Sequence, residues 1–357
     1  MPNFLFQDIL VNAIHNNASD IHMSVGSAPM LRIDGQLVRL PEHTDLTDED
    51  MRFVIEELLT NDQFARFNEE REFDFSFGMN IGSGEQRFRA NLFFEKGHPA
   101  LALRAITTNI RTIKQLSLPE ELKKIAQKNS GLFLVTGPTG SGKSTTLAAM
   151  IQEINMTRSL HLITVEDPIE YLYNSELALI HQREIGSDTK SFSEALRRAM
   201  REDPDVLMIG ELRDLETISA AVTAAETGHL VLATLHTRDA AQSVDRVVDV
   251  FPPYQQQQIR IQLASMLLGV LSQQLVPLSG TTGRTIATEF LVATNAVNNY
   301  IREGKTSQIK NVIQTGAALG MHTMDQDLSR LCKSGIVSRR DALARAYDIE
   351  SFNRYMM

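Results

Sequence analysis

The chain has 357 residues, a formal net charge of −9 and a single cysteine, Cys332. At roughly 100–200 residues per domain, this length predicts two or three domains, each able to bury its own core. The acidic balance argues against binding nucleic acid or anionic lipid through bulk charge, and one cysteine excludes an intrachain disulfide or a tetracysteine zinc site.

The first hundred residues read as α+β. Residues 4–14 carry apolar side chains at helical spacing. Runs at 30–33 and 36–40 flank Asp34 and Gly35, a two-residue hairpin signal. Thr47 and Asp50 form a capping box that opens a helix expected through Leu59. Residues 73–77 alternate as a half-buried strand does, and 87–94 and 101–106 continue the β pattern. The glycine-rich stretch 78–84 predicts a loop. Residues 111–119 read as a linker ending at Pro119, where a new helix can start.

Beyond the linker, strands and helices alternate. Residues 132–136, 160–165, 206–209 and 230–235 are apolar runs without alternation, as expected of parallel strands buried on both faces. Helices are expected at 191–202, opened by a Ser191–Glu194 capping box, and at 215–226. This is the βαβ signature of an open parallel sheet. From about Asn295 the chain is mostly helical, and the glutamines at 255–258 read as a solvated helix face. The most apolar stretch, 263–271, is too short to cross a bilayer and is soon followed by Gln273 and Gln274. The N-terminus has no basic region and contains Asp8, so it does not read as a signal peptide. The expectation is a cytoplasmic chain that meets membranes only through a partner.

Residues 137–144, GPTGSGKS, match G-x-x-x-x-G-K-[ST] in full, between an apolar strand and a helical run. Gly137, Gly140 and Gly142 let the backbone turn tightly, so that its N–H groups converge on a phosphate chain. The helix that starts near Lys143 adds its positive end. Lys143 can reach the β- and γ-oxygens, and Ser144 can ligate Mg²⁺. Hydrolysis also needs carboxylates to orient water and hold the metal's shell. Glu166 and Asp167 end one predicted strand, and Gly210 and Glu211 follow another. Ligands bind at the carboxyl ends of parallel strands, so both glutamates are candidates. Many P-loop enzymes place an aspartate where this chain has Gly210, which makes a water-mediated Mg²⁺ contact from Glu211 the better fit.

His229 and His236 stand at opposite ends of one predicted strand and cannot share a metal. His236 is at the nucleotide end, placed to sense the γ-phosphate or position water. Arg87 and Arg89 share a strand face, and Arg104 lies on the next strand. By spacing alone they read as a solvated face; as arginine fingers they would act from a neighbouring subunit.

Taken together, these boxes resemble the secretion-superfamily hexameric ATPases, and within them the type IV pilus retraction branch. The resemblance rests on ASDIH at 18–22, the Walker A loop at 137–146, ITVEDPIE at 163–170, REDPDVLMIGELR at 201–213, and the segment from AETGH at 225–229 to TLH at 234–236. It implies an α/β fold with an N-terminal α+β PAS-like domain over 1–112, a linker at 113–119, a RecA-like ATPase core with a parallel sheet over 120–290, and C-terminal helices over 291–357. It further implies ATP and Mg²⁺ as cofactors, bound by Gly137, Pro138, Thr139, Gly140, Ser141, Gly142, Lys143, Ser144 and Thr145. Glu166 is implied as catalytic base and Glu211 as the Walker B carboxylate, with His229 and His236 in support and Arg89 and Arg104 as sensors in trans. The partners implied are five further copies in a homohexamer and an inner-membrane pilus platform protein.

The missing tetracysteine motif separates the chain from the assembly branch. Val297 and Asn298 stand where the retraction box has Ile-Arg, which leaves a retraction paralogue or a type II or type IV secretion ATPase as the alternative. A nucleic-acid translocase is disfavoured by the acidic charge, and a GTPase by the absence of N-K-x-D. A nucleotide-gated scaffold with little turnover is the third alternative.

Overall fold

The computed structural model describes residues 6–33, 35–80, 85–106 and 109–357. It is a mixed α/β chain of two compact units. One comprises residues up to Thr108 with Glu170–Leu172; the other is Asn109–Ile169 with Tyr173–Met357.

The first unit holds α1 (Phe6–His15), β1 (Asp20–Ser24), β2 (Met30–Ile33), β3 (Gln36–Arg39), α2 (Asp48–Leu58), α3 (Asn61–Glu70), β4 (Glu72–Asn80), β5 (Glu85–Glu95) and β6 (His98–Ala105). Its strands form one antiparallel sheet in the order β3-β2-β1-β6-β5-β4. Side chains such as Phe6, Leu10, Leu31, Val54 and Phe88 make its core. Thr47 and Asp50 close the predicted capping box on α2. Asp34 lies outside the described residues, but Ile33 pairs with Gln36, as a two-residue hairpin requires. The loop expected at 78–84 is shorter than predicted. β4 continues through Gly78 to Asn80, because its ladder with β5 continues through the Gly78–Arg87 pair. Residues 81–84 lie outside the described set.

The second unit starts with a packed segment rather than a loose connector: Ile113 and Leu118 are buried in its core. Then follow α4 (Glu121–Ala126), β7 (Gly131–Thr136), α5 (Lys143–Thr157), β8 (His161–Glu166), β9 (Leu179–Glu184), α6 (Phe192–Ala199), β10 (Val206–Ile209), α7 (Leu215–Glu226), β11 (Leu230–Leu235), α8 (Ala240–Asp249) and α9 (Pro253–Met266). The long hairpin β12 (Leu267–Pro277) and β13 (Arg284–Val292) comes next. Five helices close the chain: α10 (Asn295–Arg302), α11 (Ile309–Thr315), α12 (Met324–Lys333), α13 (Arg339–Leu343) and α14 (Ile349–Met356).

The sheet order is β13-β12-β7-β11-β10-β8-β9, parallel except for the β12–β13 pair. Every residue of β7, β10 and β11 is buried, which is why these strands read as unbroken apolar runs. Helix α6 ends at Ala199, three residues before its predicted end. Ser191 Oγ caps it by accepting the Glu194 N–H, but the Glu194 carboxylate pairs with Arg198 at 2.7 Å, one turn on. The apolar run 263–271 divides between two elements, the last turn of α9 and the start of β12. No helix among the described residues is long and apolar enough to cross a membrane.

Candidate active site

The register of the parallel strands brings the candidate residues to one edge of the sheet. Leu134 of β7 pairs with Ala233 of β11, Ala233 with Ile209 of β10, and Ile209 with Val165 of β8. One to three residues further along each strand stand Gly137, His236, Gly210 with Glu211, and Glu166. With strands roughly 4.8 Å apart, His236 leaves the strand next to the phosphate loop, Glu211 the second and Glu166 the third.

The loop joins β7 to α5 through backbone that only glycine adopts readily. Gly137, Gly140 and Gly142 have φ of 143°, 75° and 89°. Gly137 also passes so close to the carbonyl of Gln273 that a Cβ there would clash with it. The N–H groups of Gly140, Gly142 and Ser144 have no acceptor among the described residues. A row of open donors around a left-handed turn at a helix start suits a phosphate chain. Lys143 is 9% exposed, and its Nζ donates to the carbonyls of Gly137 at 3.0 Å and Pro138 at 3.2 Å. The ammonium is thereby held over the loop.

Sequence reading passed over the residue that braces this loop. Gln273 of β12 is fully buried. Its Nε2 donates to the Ser141 carbonyl at 2.7 Å, and its Oε1 accepts from Thr146 Oγ1 at 2.9 Å. One amide therefore fixes both the loop and the first turns of α5. Beside it, Thr136 Oγ1 donates to Ser272 Oγ at 2.8 Å. The signal in the sequence was a polar pair, Gln273 and Gln274, interrupting an apolar strand.

Glu166 is 6% exposed at the end of β8. Its Oε1 accepts from Thr164 Oγ1 at 2.7 Å and from Gln182 Nε2 at 3.3 Å, which fixes the carboxylate's direction. The glycine after β10 has a steric reason. A Cβ at Gly210 would lie 3.3 Å from the Val165 carbonyl and 3.4 Å from Glu166 Cα, tighter than ordinary contact. The acid is therefore displaced by one residue to Glu211. Glu211 contacts Arg213 Nη2 at 2.8 Å and His236 Nε2 at 3.1 Å. Partial burial pushes its pKa up, but the hydrogen bond from Arg213 and the charge of His236 outweigh this and hold it below the usual carboxylate value. Glu211 therefore stays ionised at neutral pH.

His229 does not join this group within the chain. It precedes β11, and its Nδ1 lies 3.0 Å from the Ala224 carbonyl at the opposite edge of the sheet. Arg89 and Arg104 are directly paired across β5 and β6 in the first unit. Arg104 is bound to Asp20 at 2.7 Å, while Arg89 is exposed. Arg87 donates to Ser76 Oγ at 2.9 Å.

No group of three or more His, Cys, Asp or Glu side chains that could cage a metal occurs among the described residues. Mg²⁺ needs no such cage: it keeps several waters and is commonly bound by one or two protein oxygens plus phosphate. The Ser144 hydroxyl, in the first turn of α5, and the ionised Glu211 carboxylate fit that pattern.

A family model described as type II/IV secretion system protein matches residues 2–343. The chain belongs to this family. Among curated members, the type IV pilus retraction ATPase PilT of Pseudomonas aeruginosa is 44% identical over 97% of this chain and 99% of its own. The type IV pilus ATPase PilU of the same organism is 38% identical over 96% of this chain and 88% of its own. The crystal structure of the pilus retraction motor PilT with bound ADP superposes with a TM-score of 0.92 at 43% identity, covering 99% of this chain and 100% of the other. The α/β architecture of this family member thus matches a solved relative from end to end.

Proposed function

We propose that this chain is an ATP-hydrolysing motor that powers type IV pilus retraction. It works as a homohexameric ring in the cytoplasm, peripheral to the inner membrane through a pilus platform protein. The observation that carries this reading is the shared sheet edge, where a braced phosphate loop, a buried glutamate, and an ionised glutamate in contact with a histidine meet. Support for retraction comes from the higher identity to PilT than to PilU.

In this reading residues Gly137–Thr145 cradle the triphosphate and Lys143 neutralises its terminal oxygens. Ser144 and, through water, Glu211 hold Mg²⁺, which supplies charge neutralisation on the phosphate oxygens. Glu166, aimed by Thr164 and Gln182, orients the attacking water and accepts its proton. His236 reports on the γ-phosphate through its contact with Glu211. Arg89 and Arg104, from the PAS-like domain at 1–112, act on a neighbour's nucleotide; for Arg104 this means exchanging Asp20 for phosphate. His229, at the other edge of the RecA-like core, supports catalysis across a subunit boundary rather than in its own site.

The cellular test is deletion of the gene followed by imaging. Loss of twitching with surface fibres still present is the expected outcome. Loss of the fibres themselves would assign the motor to assembly or secretion.

A further inference from the structure

A cavity of about 380 Å³ lies beside the phosphate loop. Its walls are Pro138 of the loop, the segment His236–Arg238 that leaves β11, Gln274 of β12, and residues 344–347 between α13 and α14. All belong to the second unit. Two walls are thus shared with the candidate active site: Pro138, whose carbonyl holds Lys143, and His236, whose Nε2 holds Glu211.

The cavity's charge is one-sided. Arg238, Arg345 and His236 line it, and no carboxylate does. The two guanidiniums have uncharged partners. Arg238 Cζ sits 4.1 Å from the centroid of the Tyr347 ring, and Tyr347 Oη donates to the Arg238 carbonyl. Arg345 Nε donates to the Leu275 carbonyl at 3.1 Å and Nη1 to the Asp341 carbonyl at 3.2 Å. Neither arginine forms an ion pair among the described residues. Two acids on adjoining elements are committed elsewhere. Asp239 accepts the Gln242 N–H at 2.8 Å and Glu289 the Ala240 N–H at 2.9 Å, both at the start of α8. Gln274 and Thr237 add neutral polar groups. Arginines backed by carbonyls rather than carboxylates keep their charge for a ligand, and a guanidinium fork suits a tetrahedral oxyanion.

We propose that this cavity is an orthophosphate site that receives the anion released by hydrolysis before it reaches solvent. The inference rests on the ATPase reading, because only hydrolysis delivers phosphate to the Pro138–His236 wall. Hydrolysis makes one orthophosphate and one ADP in the same cradle. A basic cavity behind the γ-position offers the phosphate a way out while ADP still fills the loop.

The test is binding of radiolabelled orthophosphate, by equilibrium dialysis at fixed ionic strength, to full-length protein saturated with Mg²⁺ and a non-hydrolysable ATP analogue. The analogue fills the γ-position, so phosphate bound under these conditions occupies another site. The expected result is saturable binding of one phosphate per chain, weakened about tenfold in the Arg238→Gln, Arg345→Gln double variant, as loss of charge-assisted hydrogen bonds implies. Absence of binding to the analogue-saturated wild type overturns the proposal, and this arm needs no variant to fold. Unchanged affinity in a double variant with native circular dichroism also overturns it. A wild type that neither binds the analogue nor hydrolyses ATP would sink the motor reading instead, so the two failures are distinguishable.

Discussion

The two ends of β11 carry the same residue in opposite circumstances. His236 leaves the carboxyl end and meets Glu211 at 3.1 Å, among the ends of three other parallel strands. His229 enters at the amino end and meets only local groups, the Ala224 carbonyl and Thr227 Oγ1. Six residues of strand, roughly 20 Å at 3.3 Å each, separate them. The difference teaches that chain direction in a parallel sheet decides which of two identical side chains reaches the carboxyl edge where the candidate site of its own chain lies. Residue type alone is silent on this.

Substitutions along the carboxyl edge test that contrast. The largest effect is expected for Lys143→Ala, which removes the ammonium held over the loop: kcat falls by about 10³-fold, with the fold retained by circular dichroism. Hydrolysis at the normal rate would refute the phosphate-cradle assignment. Glu166→Gln keeps the shape and the bond from Thr164 but loses the proton acceptor. Steady-state turnover drops by about 10²-fold while ATP affinity holds; equal rates would remove Glu166 from the chemistry.

The two histidines give the sharpest comparison. His236→Ala should lower kcat by about tenfold, through the loosened Glu211, and His229→Ala should leave nucleotide Kd within about twofold of wild type. A weakened Kd in His229→Ala alone would invert the comparison. The smallest effect concerns stability. Burial raises the pKa of Glu289 to about 7, against an ordinary value of 4.5. The folded chain therefore holds a proton that the unfolded chain releases between these values. The associated stability is complete below about pH 4.5 and is lost as pH rises through 7, by up to roughly 3 kcal/mol. Glu289→Gln cannot titrate, so its Tm should fall less than that of wild type between pH 5 and pH 8. Parallel Tm profiles would show that Glu289 does not titrate there.

Much of this was legible in the sequence because local chemistry left little choice. A glycine-rich turn between an unbroken apolar strand and a helix has one familiar use, and β11 and α7 begin and end where their patterns do. Other features were hidden because distant packing decides them. β9 reads as polar, with His181, Gln182 and Arg183, since it is the edge strand of its sheet. The hairpin β12–β13 starts inside an apolar run shared with α9, where periodicity cannot mark a boundary. Ile113 and Leu118 look like linker residues until a core is built around them. Gln273 marked only the end of an apolar run, and only the sheet order, with β12 beside β7, turns it inward to the loop.

That arrangement has a consequence for biosynthesis. The amide that steadies Ser141 and Thr146 is encoded more than 120 positions downstream of them. A nascent chain emerging from the ribosome displays the complete nucleotide motif long before it owns the strand that props it. The loop's brace is therefore missing until the β12 segment has been translated and has docked, and a truncated product ending before it would carry the motif without the amide that fixes it.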